Sequence, residues 1–237
     1  MTIVIRKKMI LLFAIFLVVI FGFGFFATST VQTNTVSPLG IVVAIDAGHG
    51  YPDGGTVGTK TGVVESDLNL IYAKKLTKYL EALGITVVNT RTTKQGLCDG
   101  TEDDYKLIDM KKRVEIINSS NAQLLVSIHM NKFSSSGENG AQVFFKQDDT
   151  KGETLANVIK DMLVANFDNA RELALGGDFY ILNNSNMPGV IVECGFLSNE
   201  KEESLLQQEE YQNKMCYSIY CGIINYLEIV NSWQYLC

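Results

Sequence analysis

Histidine is nearly absent from this chain of 237 residues, occurring only at His49 and His129. No serine lies in a Gly-x-Ser-x-Gly elbow, which disfavours a serine hydrolase of that type. The glycine-rich stretch GHGYPDGG lacks the Lys-Ser/Thr of a phosphate loop and the spacing of a dinucleotide fingerprint. Five cysteines, at 98, 194, 216, 221 and 237, form no CxxC pair. Their odd number leaves at least one thiol unpaired unless it bonds between chains. A domain of this size does not depend on disulfide staples, so they read mostly as small apolar residues. Acidic residues are missing from the first 45 positions, which hold only Arg6, Lys7 and Lys8 among charged groups. The remainder carries 17 of the 20 basic residues and all 26 acidic ones, a difference of −9. An acidic domain without a basic stripe argues against nucleic acid as a partner.

What the beginning of the chain does hold is a long apolar run. Met9 to Ala27 is nineteen residues without a charge, behind the basic cluster. That length just reaches the roughly 17–25 residues a bilayer core requires, and exceeds the about 7–15 of a secretory signal core. Ala27-Thr28-Ser29 still offers a small-residue cleavage site, so residues 1–29 read as a membrane anchor or a cleaved signal. Either places the following domain outside the cytoplasm, with the basic cluster retained inside. Residues 30–40 read as a polar tether.

From Ile41 onward, strand-like and helix-like segments alternate. The apolar runs predict strands over 41–46, 85–90, 124–129, 140–146, 178–182 and 189–194. Helical spacing of apolar residues predicts helices over 66–83, 104–118, 152–167 and about 208–229. Gly84 supplies a stop signal after the first of them. This alternation specifies one α/β domain over 41–230, a mostly parallel sheet of about six strands with helices on both faces.

Both histidines end buried strands, in IVVAIDAGH and LLVSIH, where open α/β sheets place their ligand sites. Glu65, in GVVESDLN, and Glu193, in GVIVECGF, lie at two further element ends. Two imidazoles and a carboxylate make up a common catalytic zinc set, with a fourth position for water. A second carboxylate would then move protons. Alone, Glu65 would read as an acid favouring a helix N-terminus. Glu193 is harder to explain structurally, because a carboxylate ending a buried strand is costly unless paired or bound to a metal. Cys194, next in line, should face away from any site that Glu193 enters. Arg91, in VVNTR, is a candidate to pair structurally with a carboxylate or to bind a substrate acid. Asn131, in SIHMN, is a candidate to orient His129 or contact substrate.

The motifs IDAGHG, Glu65 sixteen residues after His49, NTR, SIHMN and MPGVIVECGFLSN occur together in this order. In that combination, over about Ile41 to Leu227, the chain resembles the zinc-dependent N-acetylmuramoyl-L-alanine amidases. The resemblance implies that His49, Glu65 and His129 bind Zn2+ and that Glu193 is the catalytic carboxylate. It implies a six-stranded sheet flanked by helices. The implied substrate is peptidoglycan, cut at the amide joining muramic acid to L-alanine of the stem peptide. Only about five residues, Gln147 to Lys151, separate a predicted strand from the next helix, leaving no room for the autoinhibitory helix of some relatives. With no wall-binding repeats either, the architecture is most similar to spore-cortex amidases, whose action precedes muramic δ-lactam formation. A domain without such repeats must be positioned by something else, the membrane segment or an accessory protein. Two other functions stay open: a zinc deacetylase or carboxypeptidase acting elsewhere on the wall, and a non-catalytic peptidoglycan-binding module.

Overall fold

The computed structural model describes residues 40–101 and 103–234, with the side chains of 231–234 left aside. The expected anchor or signal over 1–29, and the tether up to residue 39, lie outside the described residues. Among the described residues no helix is long and apolar enough to cross a membrane. The elements run β1 (Val42–Ala47), α1 (Glu65–Ala82), β2 (Thr86–Asn89), α2 (Tyr105–Ser119), β3 (Leu124–Asn131), β4 (Gln142–Lys146), α3 (Thr150–Asn166), β5 (Leu175–Gly177), α4 (Tyr180–Asn184), β6 (Gly189–Phe196), α5 (Glu200–Leu206) and α6 (Glu209–Gln234).

The strands form one six-stranded sheet in the order β2-β1-β3-β6-β4-β5. β2, β1, β3 and β6 are parallel, while β4 runs antiparallel to β6 and carries β5 parallel to itself. The central strands β1, β3 and β6 are covered on both faces, which is why they read as unbroken apolar runs rather than alternating ones. Val43, Ile45, Val126, Ile128, Val190 and Val192 point into a core shared with Leu68, Leu76 and Leu80 of α1, Leu155 and Ile159 of α3, and Ile219 and Ile223 of α6. Ala44, Leu125 and Ile191, one residue out of step, point the other way onto Ile117 of α2 and Ile181 and Leu182 of α4. Helices therefore lie on both faces. The first helix ends as its sequence predicts: Gly84 sits at φ +81° and donates to Glu81 O, while Ile85 N closes back on Leu80 O.

Two elements depart from the sequence reading. The strand expected over 178–182 is not one. Strand β5 occupies Leu175–Gly177, and Tyr180–Asn184 turns into the short helix α4. A run such as Phe179-Tyr180-Ile181-Leu182 is equally consistent with a buried helical turn, and periodicity cannot separate the two. The second face of the sheet decided it, because one turn of helix lets Ile181 and Leu182 enter the same core together. The other departure is α5, a helix the apolar spacing did not reveal. Asn199 caps it, its Oδ1 accepting from Lys201 N at 3.0 Å and Glu202 N at 3.2 Å.

From β1 the chain passes through α1 on one face to β2, then through α2 on the other face to β3. The carboxyl ends of β1 and β3 thus flank a point where connections diverge to opposite faces, the usual place for a ligand crevice.

Candidate metal and catalytic site

His49 follows β1 directly, in a left-handed conformation at φ +58° that a histidine adopts only when its surroundings hold it there. Several contacts do so. The His49 carbonyl accepts from the Arg113 guanidinium, and the ring Nδ1 lies 2.7 Å from Asp53 Oδ2. With Nδ1 committed to a carboxylate, Nε2 is left facing inward, 3.3 Å from Glu65 Oε1. Glu65 is the first residue of α1 and is buried. Its Oε2 accepts from Thr56 N at 2.8 Å, which turns Oε1 toward both imidazoles. His129, near the end of β3, brings Nδ1 to 3.0 Å from the same oxygen. The two rings meet edge to face with centroids 5.1 Å apart. Ligand atoms of His49, Glu65 and His129 all lie within 4.8 Å of one another. Two glycines make this approach feasible. A Cβ on Gly48 would lie 2.2 Å from the His129 ring, and one on Gly55 would lie 2.5 Å from Glu65 Oε2.

Glu193 stands directly opposite His129 in the β3–β6 register, on the same face of the sheet. Its Oε2 is buried and has no hydrogen-bond partner. Burial pushes its pKa from 4.5 to about 7, with the Glu65 charge adding to the rise and the two histidines opposing it. The adjacent Cys194 points into the opposite core, as strand alternation requires, and its thiol is pushed well up by burial.

The electrostatics favour a cation. Burial lowers the pKa of His49, but hydrogen bonds to Asp53 and Glu65 outweigh it and carry it up to about 9. Glu65 is pulled well below the ordinary carboxylate range by its two histidines, against the opposing effect of burial. Two carboxylates set against two imidazoles give the pocket a negative field that suits a metal ion, which would take the place of any proton on the ring nitrogen it binds. The donor set of two imidazole nitrogens and one carboxylate oxygen suits zinc, and the orphaned Glu193 oxygen beside it suits a bound water. The residues present fit that metal.

Several residues supporting the site escaped the sequence reading. Arg113 is 1 % exposed, its guanidinium bonding Asp46 Oδ1 and Ala47 O at 2.7 Å each, together with Asp109 and the His49 carbonyl. The sequence signal was a single charged residue on the apolar stripe of α2, between Met110 and Ile117. Asp46 also accepts from Thr90 and Ser127 at 2.6 Å each. Burial would raise its pKa, but Arg113 and these hydroxyls hold it down at about 2. Asp53 sits four residues after His49, and only the folded loop brings it to the ring. Asn69, one turn into α1 from Glu65, donates to Gly48 O at 3.1 Å and Glu65 Oε1 at 3.2 Å.

The two residues considered for substrate contact fare differently. Arg91 is buried and bonds four backbone carbonyls, those of Ala47, Gly48, Ser66 and Thr93, at 2.8–2.9 Å. It pairs with no carboxylate among the described residues, and of the two roles considered for it the structure shows a structural one, stitching the β1 loop to α1. Asn131, at the end of β3, accepts from Lys132 N at 2.8 Å. It makes no bond to His129, so it does not orient that ring.

A cavity of about 290 Å³ opens beside the histidines, lined by His49, His129, Lys106, Phe179, Tyr180 and Ile191 among others.

The family described as N-acetylmuramoyl-L-alanine amidase matches residues 43–225. A germination-specific N-acetylmuramoyl-L-alanine amidase of Bacillus subtilis is 35 % identical over 229 residues, covering 93 % of this chain and 96 % of its own. Among solved structures, the CwlD amidase of Clostridioides difficile in complex with the GerS lipoprotein is similar with a TM-score of 0.76 and 38 % identity, over 80 % of this chain and 99 % of that one. The catalytic domain of the CwlV amidase of Bacillus (Paenibacillus) polymyxa gives a TM-score of 0.71 at 32 % identity, over 79 % and 98 %.

Proposed function

The chain belongs to the N-acetylmuramoyl-L-alanine amidase family, enzymes that hydrolyse the muramoyl–L-alanine amide of peptidoglycan, and on that premise we propose how its residues do so and where. His49, Glu65 and His129 hold a zinc ion, and Glu193 is the catalytic acid–base. The observation that carries this reading is Glu193 in register with His129, its buried oxygen unpartnered beside the three-ligand cluster. When bound, zinc supplies Lewis acidity, polarising the scissile carbonyl and making water a better nucleophile near neutral pH.

The rest is done by side chains. Glu193 accepts a proton from the attacking water, a role suited to a carboxyl group whose affinity has been raised by burial. It then returns that proton to the alanine nitrogen, without which an amine is a poor leaving group. Asp53 holds His49 by Nδ1, and Thr56 N and Asn69 hold Glu65, so the ligand atoms are oriented in advance. The test is Glu193→Gln assayed on purified muropeptides. Release of peptides beginning with L-alanine should stop while zinc content is kept, and normal cleavage by this variant would refute the role. The same mass spectra separate the reading from a deacetylase or carboxypeptidase, neither of which liberates an intact stem.

In the same reading, residues 41–230 are the catalytic domain, 30–40 a tether, and 1–29 an anchor or cleaved signal that places it outside the cytoplasm. The similarity to a germination-specific relative supports work on spore-cortex peptidoglycan. The CwlD structure contains a lipoprotein partner, which supports an accessory protein for this chain as well. Asn131 remains a candidate contact for the substrate.

A further inference from the structure

Helix α5, which the apolar spacing did not reveal, turns two adjacent carboxylates inward. Glu203 is fully buried and Glu202 is 3 % exposed. A buried carboxylate is costly unless compensated, and here most of the compensation is backbone N–H taken from other segments. Glu203 Oε2 accepts from Lys60 N at 2.7 Å, and its Oε1 from Thr61 N at 2.7 Å and Thr61 Oγ1 at 2.6 Å. Glu202 Oε2 accepts from Phe196 N at 2.8 Å, and its Oε1 from Gly140 N and Asn169 Nδ2 at 2.9 Å each.

Both carboxylates grip segments that end at the site. Lys60 and Thr61 form the exposed tip of a hairpin whose arms pair at Val57 and Val64, its turn closed by Gly58 N on Val63 O at 2.8 Å. At its base, the Thr56 carbonyl accepts from Glu65 N, and Thr56 N donates to Glu65 Oε2, the bond that turns Oε1 toward the imidazoles. So short a hairpin is marginal on its own; Glu203 fixes its tip. Phe196 lies just past Glu193 in β6, across an irregularity. Glu193 pairs with His129 but Phe196 with Asn131, so β6 advances three residues where β3 advances two. Such a bulge re-aims the side chains beside it and disrupts the ladder locally, and Glu202 takes the Phe196 N–H there.

We propose that α5 is a two-armed brace of the active site, with Glu203 positioning the metal ligand Glu65 and Glu202 positioning the acid–base Glu193. Neither is a catalytic residue, since each acts through the segment it holds. The inference rests on the zinc amidase reading above and deepens it.

The two arms give different defects, which a helix serving only as scaffold would not. In Glu203→Gln the amide oxygen can stay with Thr61, which sets the NH2 group against Lys60 N and loosens the tip. Zinc affinity, read by chelator competition, falls about tenfold, the lower end of the about 10–100-fold that loss of an outer partner costs. Activity lost at limiting zinc returns as zinc is raised. In Glu202→Gln the oxygen can stay with Gly140 and Asn169, which sets NH2 against Phe196 N at the bulge. There kcat falls about tenfold with KM and zinc affinity held, and added zinc does not restore it; about 1 Å of misplacement at a reacting group costs on the order of 100-fold. Gly58→Ala and Asn169→Asp reach the same carboxylates from their partners' side. The first sets a Cβ 2.4 Å from Glu203 Oε1, the second a negative charge beside Glu202 Oε1, and each shows its arm's defect should a glutamine variant not fold. Zinc affinity unchanged in both Glu203→Gln and Gly58→Ala would overturn the brace. So would equal losses of affinity and kcat in the two arms that track the melting temperature of the metal-free protein. Turnover retained by Glu193→Gln is a separate result that removes the underlying reading instead.

Discussion

Asp53→Asn is the most informative single change in the proposed zinc pocket, because it leaves every proposed ligand in place. Asp53 Oδ2 lies 2.7 Å from His49 Nδ1, and its other oxygen meets Lys106 Nζ at 3.1 Å and Gly55 N at 3.3 Å. The carboxylate accepts only, so it selects the tautomer with the proton on Nδ1 and the lone pair on Nε2, the atom facing Glu65. An asparagine of the same shape can instead present its NH2 group, which favours the opposite tautomer and withdraws the lone pair from the metal. Loss of such an outer partner costs about 10–100-fold in metal affinity, or about 1.4–2.8 kcal/mol. The assay is competition for zinc against a chelator of known affinity, with thermal melting of the metal-free protein as a check on folding. Lys106→Met serves as the comparison. It removes an exposed ion pair to the same carboxylate, worth about 0–1 kcal/mol, and should leave zinc affinity within a few-fold. Zinc binding by Asp53→Asn equal to that of the unsubstituted protein, or a loss matched by Lys106→Met, would refute the orienting role.

Three further outcomes are expected. Glu193 must be ionised to accept a proton, so kcat/KM should fall as pH drops through a value between the ordinary 4.5 and about 7, a bound cation drawing it down from the upper figure; a pH–rate profile shows this limb directly. Asp46→Ala strands the Arg113 guanidinium in a buried site and should cost about 3–5 kcal/mol, read by denaturant unfolding. Because the folded pKa of Asp46 is held at about 2, its contribution is complete above the unfolded value of 3.8 and disappears as pH falls toward 2. Gly48→Ala places a Cβ within 2.2 Å of the His129 ring and should remove zinc binding with little change in secondary structure, measured by metal analysis beside circular dichroism.

The four central residues were legible because chemistry and position coincided in the sequence. Each lies at the end of an apolar run or just before a helical one, and strand alternation correctly sent Cys194 to the opposite core. Arg91 stayed open between structural pairing and substrate binding, because a strand-end arginine looks alike whether it meets a ligand or four carbonyls of its own chain. Asp53 and Arg113 carried almost no signal. Each acts through a bond to the single loop after β1, and that loop's path is not encoded in any local period.

Sequence by itself determined the alternation of strands and helices, the two-faced burial of β1, β3 and β6, and which residue types were available for a metal. These follow from local rules, namely side-chain period and the cost of exposing apolar area. Only the tertiary structure decided that 180–184 is helical and that Arg91 meets four backbone carbonyls. It alone brought His129 beside Glu193, because strands far apart in the chain become neighbours only when the sheet order is set. That order is fixed by long-range packing on both faces, which no window along the sequence contains.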